Sequence, residues 1–339
     1  MTDATIWHDL RTLTIEGQGW TDTQSPYARF PARAAGKVPD PVWLLSKDSA
    51  GLCARFQSDT PALCARWSLR KEALAMVHMP ATGVSGLDLY TRADNTWRWL
   101  AAAGPDHFPT SEVDLIAGLP EAAREYLLYL PLYNGVSFVE LGIPDGYTLK
   151  PAPVRTTRPI VFYGTSITQG GCAARPGSCH PALLGRRLDR PVINLGFSGN
   201  GKMEKSVAEL LAELEPSVYV IDCLPNMVAE QIVERAPELV RILRAARPDT
   251  PILLVEDRSY SDAFLQRGRA ERNRTSRAAL QQVYADLRDV GKLHYLEGED
   301  LLGTDGDDTV DGSHPTDLGF KRQAEAFFPV LSHLLTDQP

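Results

Sequence analysis

The sequence predicts an α/β protein in which a doubly wound parallel sheet of about five strands follows a β-sandwich domain. The first 150 residues contain many short runs of branched and aromatic residues and little helical periodicity. From residue 159 onward, strand-like runs alternate with helix-like runs. The length of 339 residues exceeds that of a usual single domain. We therefore expect one domain over 1–150 and a second over 151–339.

The first half is predicted to consist of short strands separated by turn-forming residues. The near copies LCARF and LCARW are interpreted as two strands of one hairpin, and YNG at 133–135 marks a later turn. Residues 148–159 contain three prolines and predict a linker. The strand-like runs are PVWLLS (41–46), LCARFQS (52–58), ALCARWSL (62–69), GLDLYTR (86–92), TWRWLA (96–101), EYLLYLPL (125–132) and VSFVELGI (136–143).

The second half alternates strands with helices. The spacing of apolar residues predicts a helix over 203–214 and another from 226, with Pro237 starting a further helix. In such folds ligands bind beyond the carboxyl ends of the strands, so the loops that follow strands are candidate sites. The strand-like runs are PIVFYG (159–164), PVINLG (191–196), SVYVIDC (217–223), PILLVED (251–257) and KLHYLEG (292–298).

Composition excludes several classes of function. The net charge of −8 argues against a nucleic-acid partner, and no apolar run is long enough to span a bilayer. The start, MTDATIWHDLRT, lacks the features of a signal peptide, so we expect a cytoplasmic location. The five cysteines lack zinc-site spacing and predict no disulfide framework, although a single bridge between Cys172 and Cys179 stays open.

The loops after the strands contain Ser166, Gly199, Asn226, Asp311 and His314. Each has a structural explanation taken alone, as a helix cap or a turn residue. Taken together they meet a chemical requirement, because a serine hydroxyl becomes nucleophilic when a histidine, oriented by a carboxylate, accepts its proton. The amides of Ser166 and Gly199 and the side-chain amide of Asn226 could stabilise the oxyanion of a tetrahedral intermediate.

These blocks and their order resemble the SGNH hydrolases, or GDSL esterase/lipase superfamily. The matching stretches are GTSI (164–167), NLGFSGNG (194–201), LPNM (224–227) and DGSHP (311–315). The resemblance implies a flavodoxin-like catalytic domain with nucleophile Ser166, base His314, orienting residue Asp311 and an oxyanion hole from Ser166, Gly199 and Asn226. The chain departs from the family pattern where Thr165 replaces an aspartate and where the third block keeps only its asparagine.

The first half also resembles a known domain. SGLDLYTR (85–92) and YLPLYNGV (129–136) are similar to the GxDLY-type β-domain that precedes some bacterial SGNH esterases. This resemblance implies a jelly-roll-like sandwich and extends the similarity over most of the chain.

The function indicated is that of a serine esterase that hydrolyses short-chain acetyl esters, with carbohydrate O-acetyl esters as the main expectation. No metal or cofactor is required by this chemistry. The alternatives are a general short-chain acylhydrolase on non-sugar esters, or an inactive carbohydrate-binding protein with a platform drawn from Trp20, Trp43, Trp97 and Trp99. The stretch GFSGNGKM (196–203) also suggests a phosphate-binding loop, but the serine or threonine expected after Lys202 is absent.

The substrate is predicted from polar residues near these loops. The arginine-rich stretch 257–277 indicates either the polar face of a helix or a flap for a polar or anionic substrate. We expect Arg175, His180 and Arg258 to contact the substrate. The expected partner is a small-molecule or oligosaccharide acyl ester, without nucleic acid or membrane, and the sequence leaves open whether the protein is a homo-oligomer.

Overall fold

The computed structural model describes residues 4–336. Residues 1–3 and 337–339, which end the two predicted domains, lie outside the described residues. The chain forms two compact units that are not contiguous in sequence. The first contains the residues up to Ala32, Ser46–Thr156 and Ala174–Gly177, and the second contains Arg33–Leu45, Thr157–Ala173 and the chain from Ser178 onward.

The first unit contains two antiparallel sheets. One has the strand order β1 (Thr5–Asp9), β9 (Val136–Pro144), β4 (Leu63–Leu69) and β7 (Thr110–Ile116). The other has the order β10 (Leu149–Pro151), β3 (Cys53–Ser58), β8 (Arg124–Tyr129), β5 (Leu87–Ala93) and β6 (Thr96–Ala103), with β2 (Thr14–Glu16) also paired to β3. A short helix, α2 (Ala81–Val84), precedes β5.

The two sheets enclose one apolar core, which makes this unit a β-sandwich. Trp67 of β4 is fully buried in the same cluster as Phe56 of β3 and Leu89 of β5. The ring of Phe56 stacks on that of Tyr126 with centroids 5.1 Å apart. Each such side chain contributes roughly 1.5–3 kcal/mol through burial.

Two expectations for the first half were wrong, and a third holds only in part. The run PVWLLS is helix α1 (Asp40–Leu45), because an aspartate followed by proline is a strong helix start. Strands β3 and β4 lie in different sheets and form no hairpin, since the turn between them crosses the sandwich. The predicted linker, 148–159, is correct only in part, because it begins with β10, which pairs with β3. The boundary between the two units, after Thr156, does lie within it.

The second unit contains a five-stranded parallel sheet of order β12-β11-β13-β14-β15. This order confirms the doubly wound fold predicted from the sequence. The strands are β11 (Ile160–Gly164), β12 (Val192–Gly196), β13 (Val218–Asp222), β14 (Ile252–Val255) and β15 (Leu293–Leu296). The helices are α1, α3 (Ser166–Gln169), α4 (His180–Arg187), α5 (Lys205–Leu211), α6 (Ala229–Ala246), α7 (Arg267–Asp286) and α8 (Asp317–Thr336).

Helices cover both faces of this sheet, and successive residues of the central strand point to opposite faces. Phe162 of β11 lies in a cluster with Leu184 of α4 and Phe327 of α8. On the other face, the Tyr163 hydroxyl donates to Glu204, which precedes α5. Both faces of β11 are buried, which explains why this strand is a continuous apolar run.

Helix α6 is continuous, so the predicted helix start at Pro237 was wrong. A proline inside a helix leaves the carbonyl four residues earlier without its donor. That carbonyl belongs to Val233, an exposed residue of α6. Within residues 4–336, no helix combines the length and the apolar character needed to cross a bilayer. The cysteines are all free, including Cys172 and Cys179.

Replacing Phe162 by alanine should lower the free energy of unfolding of the second unit by about 3–5 kcal/mol, because the change opens a cavity in a fully buried cluster. Urea unfolding followed by circular dichroism measures this. Phe264→Ala is the matched control, since that ring is 82% exposed, and it should change stability by less than about 0.5 kcal/mol. Equal effects of the two changes would contradict the assigned core.

Candidate active site

Ser166 is the first residue of helix α3, immediately beyond the carboxyl end of the central strand β11. Thr165 caps this helix, and its hydroxyl accepts from the amide of Ile167 at 3.3 Å. Threonine therefore serves as the N-cap at the position where the family pattern has aspartate. Gly170 ends the helix with a φ of 110°, a backbone conformation that favours glycine.

Backbone packing holds α3 close to the ends of the strands. A Cβ on Gly164 would lie 2.1 Å from the hydroxyl oxygen of Thr168, and a Cβ on Gly196 would lie 2.0 Å from the amide nitrogen of Gln169. Only glycine at these two strand ends permits so close an approach. The serine hydroxyl is thus placed by the meeting of β11, β12 and α3.

Asp311 and His314 lie on the loop that leads from β15 to α8. Oδ1 of Asp311 accepts from the backbone amides of Ser313 at 3.0 Å and His314 at 2.8 Å. The amide of Val310 donates to the His314 carbonyl at 2.9 Å and closes the turn. One carboxylate oxygen therefore fixes the turn, and the other is left to face the imidazole.

The structure brings the three side chains into one chain of hydrogen bonds. Oδ2 of Asp311 lies 2.7 Å from Nδ1 of His314. Nε2 of His314 lies 2.8 Å from Oγ of Ser166. With its proton on Nδ1 and directed to the carboxylate, the imidazole has Nε2 as an acceptor for the serine hydroxyl.

The hydrogen bonds and charges around Asp311 favour its ionised form. Burial raises the pKa of Asp311, but the amide and imidazole of His314 and the amide of Ser313 lower it by more, so it lies below its usual value. The negative charge of this carboxylate also acts on the thiol of Cys172. Burial, with a further contribution from the Asp311 charge, raises the pKa of Cys172 to about 12, so this thiol stays protonated.

Gly199 lies on the loop after β12, with a φ of 67°. A Cβ there would meet no atom within 4 Å, so conformation and not space requires glycine at this position. The buried Gln169 of α3 fixes this loop, since its side-chain oxygen accepts from the Ser198 amide at 3.0 Å. Helix α5 begins at Lys205, beyond Lys202, so the loop does not lead directly into a helix as a phosphate-binding loop does.

Asn226 ends a short 3₁₀ helix, Leu224–Asn226, after β13. Its side-chain amide donates one hydrogen to the Asn200 carbonyl, which links it to the glycine loop. Arg272 of α7 donates to the carbonyls of Pro225 at 2.8 Å and Met227 at 3.1 Å, on either side of Asn226. Hydrogen bonds from Arg272 therefore hold the backbone on both sides of Asn226, next to the Gly199 loop.

A buried polar cluster lies beneath the nucleophile helix. Oδ2 of Asp222, at the end of β13, accepts from the Thr168 hydroxyl of α3 at 3.1 Å. Nη2 of Arg258 binds both oxygens of the same carboxylate, at 2.8 and 3.0 Å. Burial raises the pKa of Asp222, although Arg258 and Thr168 oppose this shift. The cluster connects α3 to the loop after β14.

The residues predicted to contact substrate have other surroundings. Arg258 is 1% exposed in its ion pair with Asp222. His180 has no exposed surface and packs between the rings of Phe162 and Phe320. Burial first, and then Arg258, hold the pKa of His180 well below its usual value. Neither side chain presents a surface to a substrate in this structure.

Protein partners also bind Arg175 and the arginines at 269, 272, 274 and 277. Arg175 is half-buried and pairs with Asp88, and both residues belong to the first unit. The arginines from residue 267 to residue 277 lie on α7, which favours the helix-face interpretation over a flap. Of the four tryptophans proposed as a platform, Trp20 is buried against Phe30.

Several supporting residues were not predicted from the sequence. Arg269 donates to the Asp311 carbonyl at 3.1 Å, and the Ser261 amide donates to the Gly312 carbonyl at 3.0 Å. The loop after β14 and the first turn of α7 therefore hold the loop that carries His314. A sequence signal was available only for Asp222, as a charged residue at the end of an apolar strand.

Comparisons with known proteins agree with this architecture. Residues 157–332 match the GDSL-like lipase/acylhydrolase family, and residues 5–149 match the N-terminal GxDLY domain of SGNH-hydrolase-type esterases. A protein from Bacteroides ovatus ATCC 8483, described as a GDSL-like lipase, is 32% identical with a TM-score of 0.94, and 98% of each chain is covered. None of the curated proteins compared matches the chain.

More distant structures share the fold. A salicylyl-acyltransferase from a tetracycline biosynthetic pathway is 20% identical with a TM-score of 0.75, and 98% of each chain is covered. An acetyl xylan esterase from the rumen bacterium Butyrivibrio proteoclasticus is 12% identical with a TM-score of 0.60, with 98% of this chain and 99% of that chain covered.

Asp257, which lies beside Arg258 of the buried cluster, makes the free energy of unfolding depend on pH. Burial raises the pKa of Asp257 to about 6, against the opposing charge of Arg258. A raised pKa in the folded state stabilises the protein at low pH, and this contribution is lost as the pH rises from about 4 through 6. Relative to the wild type, Asp257→Asn should therefore gain stability over that interval, by up to about 3 kcal/mol, and show no further gain above it.

Urea unfolding of both proteins between pH 4.5 and pH 8 measures this difference. Asp249→Asn is the control, because the Asp249 side chain is 93% exposed and should give a flat difference. A difference for Asp257→Asn that stays constant, or that falls with pH, would contradict the assignment.

Proposed function

This chain belongs to the GDSL-like lipase/acylhydrolase family, and from this membership we propose that it is a serine esterase acting on short-chain acyl esters, above all O-acetyl groups on carbohydrates. The observation that carries the proposal is the unbroken path of hydrogen bonds from Asp311 through His314 to Ser166, with lengths of 2.7 and 2.8 Å. This geometry activates a hydroxyl for acyl transfer.

The reaction proceeds in two steps. Oγ of Ser166 attacks the ester carbonyl while Nε2 of His314 accepts its proton, and the imidazolium then protonates the departing alkoxide. An acyl-serine ester remains. Water, deprotonated by the same imidazole, attacks the acyl-serine and releases the carboxylic acid, and the proton returns to Ser166. Asp311 holds the ring orientation and stabilises the imidazolium in both steps.

The negative oxygen of each tetrahedral intermediate requires donors that are already in place. Asn226 uses one amide hydrogen on the Asn200 carbonyl and has a second for the oxyanion. Gly199 presents its amide from a loop fixed by Gln169. Together with the amide of Ser166, at the start of α3, these groups form the proposed oxyanion hole.

Support for a carbohydrate ester comes from the fold shared with the acetyl xylan esterase and from the paired sandwich domain. Arg258 does not provide a binding site for an anionic sugar, because its side chain is buried in an ion pair with Asp222. The proposal is therefore an acetylated neutral sugar. The general alternative is a small non-sugar ester processed by the same residues.

Ser166→Ala should lower kcat on p-nitrophenyl acetate by at least about 10³-fold, because the acyl acceptor is lost. Phenylmethanesulfonyl fluoride should modify the wild type at Ser166 and leave the variant unmodified, as read by peptide mass spectrometry. Ser137→Ala, an exposed serine of β9, is the matched control and should keep wild-type activity. Equal rates for wild type and Ser166→Ala would refute the esterase.

Substrate class is tested by rates of acetate release from acetylated xylo-oligosaccharides, compared with p-nitrophenyl acetate, butyrate and octanoate. A higher kcat/KM on the acetylated sugars supports the carbohydrate esterase. A preference for the simple esters supports the general acylhydrolase in its place.

Asp311→Asn should lower kcat by about 10³- to 10⁴-fold with the fold intact. The asparagine oxygen can still accept from the amides of Ser313 and His314, which turns its NH₂ group toward Nδ1. That donor favours the imidazole tautomer with its proton on Nε2, which cannot accept from Ser166. Kinetics and thermal unfolding measure the change, with the exposed Asp307→Asn as control. Unchanged kcat would contradict the role of Asp311.

A further inference from the structure

The residues of the GxDLY motif have separate structural tasks. A Cβ on Gly86 would lie 2.4 Å from the carbonyl oxygens of Ala103 and Thr82, so glycine is required there. Leu89 points into the apolar core of the sandwich. Asp88 and Tyr90 alternate with Leu89 along β5, and strand geometry therefore places them on the opposite face. The motif presents a carboxylate and a phenol on a face that is not the core.

Asp88 is fully buried and accepts from several donors. Its Oδ2 accepts from the Gly177 amide at 2.8 Å and from Nη1 of Arg175 at 3.0 Å. Its Oδ1 accepts from the indole nitrogen of Trp99 at 3.1 Å. One negative charge is matched by one guanidinium, and such charge-assisted bonds are stronger than neutral ones.

Other contacts fix the same segment, Ala174–Gly177. The Thr82 hydroxyl donates to the Ala174 carbonyl at 2.6 Å. The Arg175 guanidinium lies 5.3 Å from the ring centroid of Trp99. A Cβ on Gly177 would lie 2.5 Å from the Tyr90 hydroxyl and 2.7 Å from Oδ2 of Asp88. The segment is therefore bound along its length and belongs to the first unit, although the chain on both sides of it belongs to the second.

A short, tightly bonded turn joins this segment to the nucleophile. The Gly171 amide donates to the Ser166 carbonyl at 2.8 Å, and the Ala173 amide donates to the Gly170 carbonyl at 3.1 Å. Cys172 adopts a φ of 76°, which few residues other than glycine tolerate. The stretch from Ser166 to Ala173 is therefore held by its own backbone hydrogen bonds, and Ala174 follows it directly in the chain.

We propose that Asp88 is a positioning residue for the esterase reaction: it anchors Ala174–Gly177 and thereby holds the turn that follows Ser166. This inference rests on the proposed function. It gives the GxDLY motif a role in catalysis without contact to substrate. It also assigns Arg175 to the anchor, as the cation that balances Asp88.

The test compares Asp88→Asn with Gly177→Ala, Asp94→Asn and the wild type. The first variant removes the charge that holds Arg175, and the second pushes the segment away while every charged group remains. Asp94 lies on the same hairpin in an exposed pair with Arg98 and is the matched control. For each protein we would measure kcat and KM on p-nitrophenyl acetate, the rate of modification by phenylmethanesulfonyl fluoride, and Tm.

Asp88→Asn and Gly177→Ala should each lower kcat and the modification rate by about 10- to 100-fold, because small misplacements of a reacting group have effects of this size. KM should change by less than about threefold, and Asp94→Asn should match the wild type. A purely structural role would lower Tm but leave kcat per modifiable serine unchanged, and that result would overturn the inference.

The two proposals fail in distinguishable ways. If the wild type neither hydrolyses esters nor reacts at Ser166, the proposed function is refuted and this inference falls with it. If the wild type is active but both variants keep kcat within twofold of it, only the inference is overturned. Should Asp88→Asn fail to fold, Gly177→Ala decides, since it retains the charges of Asp88 and Arg175.

Discussion

The close approach of helix α3 to the carboxyl ends of β11 and β12 is the constraint on which the site depends. Gly164 and Gly196 allow backbone and side-chain atoms of α3 to approach the strand ends more closely than any Cβ would permit. The hydroxyl of Ser166 then projects from the edge of the sheet, where the loop from β15 delivers the imidazole. A bulkier residue at either glycine would move the helix and separate the two groups.

Around this contact, each functional loop is held by hydrogen bonds from a neighbouring helix or loop. Gln169 binds the glycine loop, Asn226 binds Asn200 of that loop, and Arg272 binds the backbone on both sides of Asn226. The imidazole loop is held by Ser261. Each of these bonds has a backbone group as at least one partner, so the loops are held in place before a substrate binds and need little reorganisation during the reaction.

The sequence predicted the parallel sheet well because each strand is a buried apolar run bounded by turn residues, as in PIVFYG. It also singled out Ser166, Asp311 and His314, which the structure places within hydrogen-bonding distance of one another, because their loops follow strands. The oxyanion-hole roles of Gly199 and Asn226 stay predictions. It failed where pairing is non-local. The strands β3 and β4 look like a hairpin locally, and only the core of the sandwich separates them into two sheets.

Charge was also misinterpreted from sequence. Arg258 looked like a surface cation, yet its partner Asp222 is distant along the chain and both are buried. Nothing local in DRSY distinguishes a buried ion pair from a solvated arginine. The same limit applies to Arg175, whose partner Asp88 lies in the other half of the sequence.

The discontinuous make-up of the two units bears on how the protein can be divided. A fragment that starts at Thr157 would match the family boundary but would take Ala174–Gly177 away from Asp88, Thr82 and Tyr90. The guanidinium of Arg175 and the amide of Gly177 would then have to be solvated. In a sandwich domain expressed without that segment, the carboxylate of Asp88 would lack its ion pair with Arg175. A single cleavage of the polypeptide therefore cannot separate the two units with all of their residues, and an engineered version of either unit has to account for Ala174–Gly177.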